Sequence, residues 1–415
     1  MVLATPAVGV RGPQGAESLF DSGTTDPTAP GLPAWTTPLL ERLAATVPRP
    51  ALVAVAMSGG VDSSVAAALL ATAGLPVVGV TMRLWAEEEF ERGEGGCCSL
   101  DAVEDARRVC ARLGIPHYVI NLRDRFERAV VGQFFEEYRV GRTPNPCVRC
   151  NETVKFADLY LRMSRVGASH LATGHYAQLE PGGPAGAVLR RARDLRKDQS
   201  YTLYRTPPAV LARCLFPLGT LEKPRVRELA AAFGLGVAAK PDSQELCFVG
   251  GGDHRELLAR ELTGSFSEGP VVDREGMLVG RHRGLPFYTV GQRHGLGLKA
   301  RRPDAEPVYV YEVDHSCNTL RVGPWSSLLR TGCRISRVVA LVPPSGLGWH
   351  RALAQLRAHA KPTPATWRLI PGDRAEIHFA TPQAAVSPGQ SLVLYDGDQV
   401  VAGGEIEVES GEEFD

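Results

Sequence analysis

The chain has no apolar run long enough to cross a bilayer. Its longest weakly polar stretch, 65–80, is broken by Gly74 and Pro76 and falls short of the ~20 residues that a spanning helix needs. The N-terminus begins Met-Val-Leu-Ala-Thr-Pro, with no basic segment ahead of an apolar core, so no secretory signal or membrane partner is expected, and the expected compartment is the cytoplasm. Net charge is missing as well, 46 basic residues balancing 46 acidic ones. That balance hides segregation: 181–240 holds eleven Arg or Lys against four acids, 281–302 six against none, and 321–370 eight against none. A basic face sized for a polyanion is therefore compatible with zero net charge. Lysine is scarce, six against forty arginines. The cysteine count is nine, odd and in a chain without secretory features, which argues against a disulfide framework and for thiols with chemical or metal-binding work. What is present, 44% hydrophobic and 22% charged residues over 415 positions, is the composition of a folded chain of roughly two to four domains.

Residues 1–49, rich in Ala, Pro, Gly and Thr, read as a mobile extension with one short helix near 38–45. From Leu52 the texture changes to alternating strands and helices: strands at 52–57, 77–82, 117–122 and 171–173, helices at 63–73, 100–113, 126–138 and 154–166. That alternation predicts an α/β fold, a parallel sheet covered on both faces, in a domain spanning 50–214. A small middle domain is expected over 215–298, with a helix at 224–233 that has Pro in its first turn and Gly234 after its end. From 299 to 415 short strands (308–313, 334–341, 353–359, 366–369, 374–379, 391–395, 405–408) separated by Gly and Pro predict a C-terminal β-barrel.

The sharpest motif is Ser58-Gly59-Gly60-Val61-Asp62-Ser63-Ser64, set between the first strand and its helix. Glycines let backbone N–H groups turn toward an anion, the serines add hydroxyls, and the helix N-terminus favours phosphate. The motif lacks the Gly-Lys-Ser/Thr of the Walker loop, so phosphate charge falls to backbone, serines and a Mg²⁺ held partly by Asp62. The second motif, Thr143-Pro144-Asn145-Pro146-Cys147-Val148-Arg149-Cys150-Asn151, presents a Cys-x-x-Cys pair before a helix, where thiolate is favoured; half of a structural zinc site looks the same.

The loop at 58–63 resembles the PP-loop of ATP pyrophosphatases, which cleave ATP between the α and β phosphates. With Ala172-Thr173-Gly174-His175-Tyr176, Lys197-Asp198-Gln199-Ser200-Tyr201, Asp242-Ser243-Gln244-Glu245-Leu246-Cys247-Phe248 and Gly291-Gln292-Arg293-His294-Gly295-Leu296-Gly297, the ordered set is similar to the tRNA-specific 2-thiouridylases from about Leu52 to the end. That resemblance implies a PP-loop nucleotide-binding domain, a small middle domain and a C-terminal β-barrel. It implies ATP- and Mg²⁺-dependent replacement of the C2 oxygen of the wobble uridine by sulfur, on the anticodon stem-loop of tRNA. A sulfur-donor protein, a cysteine desulfurase or a relay carrier, is the implied second partner.

At matching positions the resemblance assigns ATP to Ala56, Met57, Ser58, Gly59, Gly60, Val61, Asp62 and Ser63, with the backbone at Met82 and Gly174. Asn145, Pro146 and Cys147 would surround the flipped uridine, and His175, Lys197, Asp198, Gln199 and Gln390 would touch tRNA. Cys247 would carry sulfur as a persulfide and Cys150 would release it, leaving a Cys150–Cys247 disulfide. The best-known bacterial pattern has Asp at the position of Cys147, and this departure opens an alternative in which Cys147, Cys150 and Cys247 ligate a [4Fe–4S] cluster. Cys97, Cys98, Cys110, Cys214, Cys317 and Cys333 are expected to have no catalytic role.

Overall fold

A computed structural model describes residues 31–84, 100–184, 186–242, 246–249, 254–262, 264, 266–298 and 306–407. The first sheet is built from β1 (Leu52–Ala56), β2 (Val77–Arg83), β3 (His117–Asn121) and β4 (Ala168–Ala172). Two further strands, β5 (Gln178–Pro181) and β6 (Ala187–Arg190), belong elsewhere, and β7 (Cys214–Leu215) closes the first sheet's far edge. The order is β3-β2-β1-β4-β7, all parallel. Val53, Ala54 and Val55 are fully buried, as expected for a strand covered on both faces. The chain leaves β1 toward β2 and β3 on one side and returns to β4 and β7 on the other, so the topological switch lies between β1 and β4. Their carboxyl ends, Ala56 and Ala172, therefore open onto the crevice where such sheets bind ligands.

Part of the expected extension is packed. Helix Thr37–Thr46 buries Leu39, Leu40 and Leu43 in the core that also holds Val65 and Leu69; residues 1–30 lie outside the described ones. Helix Lys223–Ala232, assigned from sequence to the middle domain, packs Val226, Leu229 and Ala230 into that same core. Two predicted helices contain wide turns: Glu127–Val131 and Asn151–Leu159 are π-helical.

The middle sheet consists of β8 (Gly269–Val272), β9 (Leu278–His282), β10 (Tyr309–Asp314) and β11 (Thr319–Gly323), in the order β10-β11-β8-β9. The strand predicted at 308–313 thus joins the middle sheet rather than the barrel. The barrel is β12 (Leu329–Ala340), β13 (His350–Gln355), β14 (Thr363–Ile370), β15 (Arg374–Ala384), β16 (Ser391–Asp396) and β17 (Gln399–Ile406). Strand β12 pairs with both β15 and β17, which closes the ring, and the β5–β6 hairpin of the first domain is appended at β17.

Polar contacts join the barrel to the nucleotide-binding domain. The Tyr201 hydroxyl donates to the Ser391 carbonyl at 2.6 Å and the Tyr204 hydroxyl to Ser391 Oγ at 3.2 Å. Arg205, 8% exposed, pairs with Glu152 at 2.9 Å and with Glu405. Gly389 has φ +85°, and a Cβ there would stand 2.9 Å from the Thr143 nitrogen, so glycine permits the barrel to close on the loop that leads to Cys147. Arg205→Ala leaves two partly buried carboxylates with less charge compensation. Because Arg142 and Arg337 still reach Glu405, the expected loss is about 2–3 kcal/mol, below the ~3–5 kcal/mol for an uncompensated buried pair. Urea unfolding measures it, and a change under about 0.5 kcal/mol would show the bridge to be idle.

Candidate active site

The Ser58–Ser63 loop sits at the carboxyl end of β1. The Ser58 amide donates to Ser63 Oγ at 3.1 Å, the Ser58 and Ser63 hydroxyls are 3.2 Å apart, and Ser64 Oγ donates to the Gly60 carbonyl at 2.8 Å. Gly60 precedes helix Val61–Thr72 and no side chain caps that helix, which leaves its first N–H groups directed at an incoming anion. Gly59 has φ +68°, and a Cβ on it would lie 2.3 Å from the Ala102 carbonyl oxygen, so the loop shape requires glycine. Gly174 approaches from the end of β4; a Cβ there would stand 2.7 Å from the backbone of Asp62 and Ser63. Buried Met57 donates from its amide to the Val80 carbonyl at 2.8 Å, while half-buried Ala56 ends β1 and half-buried Met82 is the penultimate residue of β2. The expected nucleotide residues are thus brought to one crevice.

Apart from Lys197, expected as an RNA contact, sequence reasoning missed the cations around this loop. Lys223 Nζ lies 2.7 and 2.8 Å from the two Asp62 carboxylate oxygens and 2.9 Å from Asp242. Asp242 also receives Lys197 at 2.7 Å and Arg227 at 2.9 Å. Lys240 Nζ donates to the Gly59 carbonyl at 3.2 Å and pairs with Asp105 at 2.8 Å. The Tyr176 hydroxyl donates to Asp62 at 2.8 Å. Burial first, then the Asp62 charge, pushes the Tyr176 phenol far up, so it stays a donor. Burial alone would raise the Asp242 carboxyl, but its bonds from Lys197 and Lys223 outweigh that and hold it at about 2. The available signal was lysine's scarcity: three of six lysines meet here.

The second motif forms a helix start. Asn145 is the N-cap, its side-chain oxygen accepting from the Val148 amide at 3.3 Å, and Pro146 follows at the first helical position. Cys147 is exposed on the first turn and Cys150 is 6% exposed on the inner face. The chain then runs into the π-helical Asn151–Leu159, a wide turn of the kind found at functional sites. Asn151 anchors it by donating to the Thr202 carbonyl at 3.0 Å. Cys247, half-buried, packs against the same core cluster as Cys150, although the two are 97 positions apart in sequence. Its neighbour Phe248 fixes that approach, meeting Phe134 edge-on at 5.0 Å and Phe126 at 6.4 Å. Among the described residues no three His, Cys, Asp or Glu side chains converge to hold a metal ion. Cys147, Cys150 and Cys247 thus form no single-ion site in this arrangement. Cys97 and Cys98 lie outside the described residues. Burial pushes the Cys110 thiol to about 11, and the buried Cys214 thiol higher still, leaving both inert.

The expected RNA-contact residues divide. His175 lies half-buried between Phe156 and Phe216, ring centroids 5.6 and 5.9 Å away, with Nδ1 2.6 Å from Thr173 Oγ1. Burial, then the Lys155 charge, lowers its pKa well below the ordinary value, so the ring is neutral. Lys197 is partly exposed on Asp242. Asp198 turns inward, 9% exposed, accepting from the Ala192 and Ser200 amides and the Ser200 hydroxyl. The Gln199 side chain accepts from the Tyr176 amide at 2.9 Å, and Gln390 donates to the Thr143 carbonyl at 3.0 Å. Each of these three side chains makes a hydrogen bond within the protein.

A histidine whose folded pKa is depressed takes up its proton in the unfolded state first, so stability declines as pH falls below about 6.5, at most ~1.4 kcal/mol per pH unit for each such group. His117 and His170 shift in the same direction through burial. Denaturant midpoints should therefore fall between pH 7.5 and 5.5, and His175→Gln should flatten that slope; an unchanged slope would show that folding leaves the ring's pKa unshifted.

With this geometry in view, the chain matches the families described as "tRNA methyl transferase HUP domain" over residues 51–251, "tRNA methyl transferase PRC-barrel domain" over 255–324 and "Aminomethyltransferase beta-barrel domain" over 330–406. The tRNA-specific 2-thiouridylase MnmA of Roseiflexus castenholzii is 47% identical over 375 residues, covering 86% of this chain and 99% of that protein. The MnmA of Chloroflexus aurantiacus is 49% identical, covering 85% of this chain and 97% of its own. The chain belongs to the tRNA-specific 2-thiouridylase family. The parallel-sheet domain, middle domain and closed C-terminal barrel are the architecture that the resemblance implied for it. Among solved structures, a 4-thiouridine synthetase–RNA complex with bound ATP aligns with 16% identity and a TM-score of 0.30, covering 52% of this chain and 51% of the other. Among the described residues no helix is long and apolar enough to cross a membrane.

Proposed function

We propose that the chain uses ATP to exchange the C2 oxygen of the wobble uridine of tRNA for sulfur, with Cys247 as sulfur carrier and Cys150 as resolving thiol. The observation that carries this reading is the placement of Cys150 and Cys247 on one core cluster, within the domain whose Ser58–Ser63 loop is shaped for phosphate. A uridine carbonyl is a poor electrophile with a poor leaving oxygen. Attack of that oxygen on the α-phosphate expels pyrophosphate and turns the oxygen into an AMP leaving group. The Cys150 thiolate then attacks the sulfur of a Cys247 persulfide, forming the Cys150–Cys247 disulfide and releasing hydrosulfide; that sulfide adds to C2 and expels AMP. An external thiol reductant and a persulfide-carrying donor protein reset the pair.

The carboxylate of Asp62, with phosphate oxygens, is a donor set suited to Mg²⁺, which would neutralise charge on the leaving pyrophosphate. The base must leave its stack to reach the site. In this reading Asn145, Pro146 and Cys147 edge its pocket, His175 offers a neutral ring, and Lys197 meets the RNA backbone beside the main chain of Asp198 and Gln199. Gln390 acts by holding the Thr143 carbonyl and so the loop.

Release of AMP from ATP should require both an unmodified tRNA with a wobble uridine and a sulfur source. AMP formation at the same rate with a tRNA lacking that uridine would remove the assignment of acceptor.

A further inference from the structure

Three basic side chains, Lys197, Lys223 and Arg227, converge on the single carboxylate of Asp242 at 2.7–2.9 Å, and a fourth, Lys240, touches the Ser58–Ser63 loop itself. Lys223 is 8% exposed and bridges Asp242 to Asp62 of the loop. Asp62 and Asp242 together face three cations, which leaves an excess of positive charge at the mouth of an uncapped helix. A buried cation is stable only with anionic partners; Lys223 has Asp62 and Asp242, while Lys197 and Arg227, each 36% exposed, share the Asp242 carboxylate with it. Arg227 holds the segment in place, donating also to the Ala238 and Lys240 carbonyls at 2.8 and 3.2 Å. Lysine has a compact charge on a flexible stem with three donors, so it can swing from a carboxylate to a phosphate, whereas the arginine fork is tied to one geometry. That contrast explains why a chain with forty arginines keeps half of its six lysines here.

We propose that Lys223, Arg227 and Lys240 form the subsite for the β- and γ-phosphates of ATP and for the pyrophosphate that leaves, and that Asp242 occupies this subsite until the polyphosphate displaces it. The proposal rests on the ATP-cleaving reading above and adds the residues that take the leaving group. Exchange of one anion for another never leaves Lys223 unpaired, because Asp242 gives way only as the polyphosphate takes its place. The carboxylate of Asp242 is a competitor of the substrate, so removing its charge strengthens polyphosphate binding, while removing a lysine weakens it.

The test is calorimetric titration of the full chain with inorganic pyrophosphate, ATP and AMP in the presence of Mg²⁺. Asp242→Asn is expected to tighten pyrophosphate about three- to tenfold, with AMP within about twofold. Lys240→Ala, which is partly exposed and tolerates truncation, is expected to weaken pyrophosphate and ATP about tenfold or more and to leave AMP within about twofold; Lys223→Ala should act in the same direction. Opposite signs within one cluster are what a purely structural brace does not produce. Weaker or unchanged pyrophosphate binding by Asp242→Asn, or equal losses of AMP and pyrophosphate in the lysine variants, would overturn the proposal. Wild-type protein that binds pyrophosphate but makes no thiouridine removes the sulfur-transfer reading and leaves this subsite standing; wild-type protein that binds no pyrophosphate removes both.

Discussion

Cys247→Ser is expected to abolish 2-thiouridine formation, by about a thousandfold or more, while ATP affinity stays within about twofold. A serine hydroxyl cannot hold a transferable sulfur, and its oxygen is not a nucleophile toward a persulfide at neutral pH. Cys150→Ser should be equally inactive, because hydrosulfide release depends on the second thiol closing the Cys150–Cys247 bond. The replacement is nearly isosteric, so nucleotide binding serves as the folding control. Cys147→Ser separates this account from its rival. Cys147 stands exposed one helical turn before buried Cys150; in the proposed reading it edges the pocket, so its variant should keep measurable thiolation. Loss equal to that of the other two would instead restore a three-thiolate ligand set.

Gly59→Ala should remove ATP binding, by more than about tenfold, in a chain that still folds. The residue holds φ +68° and any Cβ would overlap the Ala102 carbonyl, 2.3 Å away. The left-handed conformation alone costs about 1–2 kcal/mol in a non-glycine residue, and the clash must push either the loop or helix Leu100–Arg112. The loop gives first, because Ala102 and Ala106 are buried on that helix. Its amides then no longer converge on a phosphate. ATP titration and thermal unfolding together measure this: affinity should collapse while the unfolding temperature falls by only a few degrees. An unchanged ATP affinity would show that the loop is not where the phosphates bind.

Much of the nucleotide-binding domain was legible because its signals are local. A continuous apolar run such as 52–57 can hardly be anything but a buried strand, and a Gly-Gly turn with serines before a helix announces a phosphate cradle. What escaped was long-range. A two-residue strand, Cys214–Leu215, has no periodicity to detect. The hairpin Gln178–Arg190 and the strand Tyr309–Asp314 alternate as any antiparallel strand does, and only their partners decide which sheet receives them. The π turns at Glu127–Val131 and Asn151–Leu159 keep a helical pattern and shift only the hydrogen bonds. In the site, motif order brought out the loop and the cysteines. Lys223 and Lys240 belong to no short motif; only their convergence on Asp62, Asp242 and Gly59 marks them. Asp198, Gln199 and Gln390, expected from the resemblance to touch tRNA, each also make an internal hydrogen bond that a linear sequence does not reveal.

The most direct measurement combines the iron-free full chain with unmodified tRNA, ATP, Mg²⁺ and a persulfide donor, and reads nucleosides by mass spectrometry. The account predicts 2-thiouridine at the wobble position, with one AMP released for each sulfur inserted. AMP release without 2-thiouridine, or thiolation only after iron is restored, would contradict the persulfide path through Cys247 and Cys150.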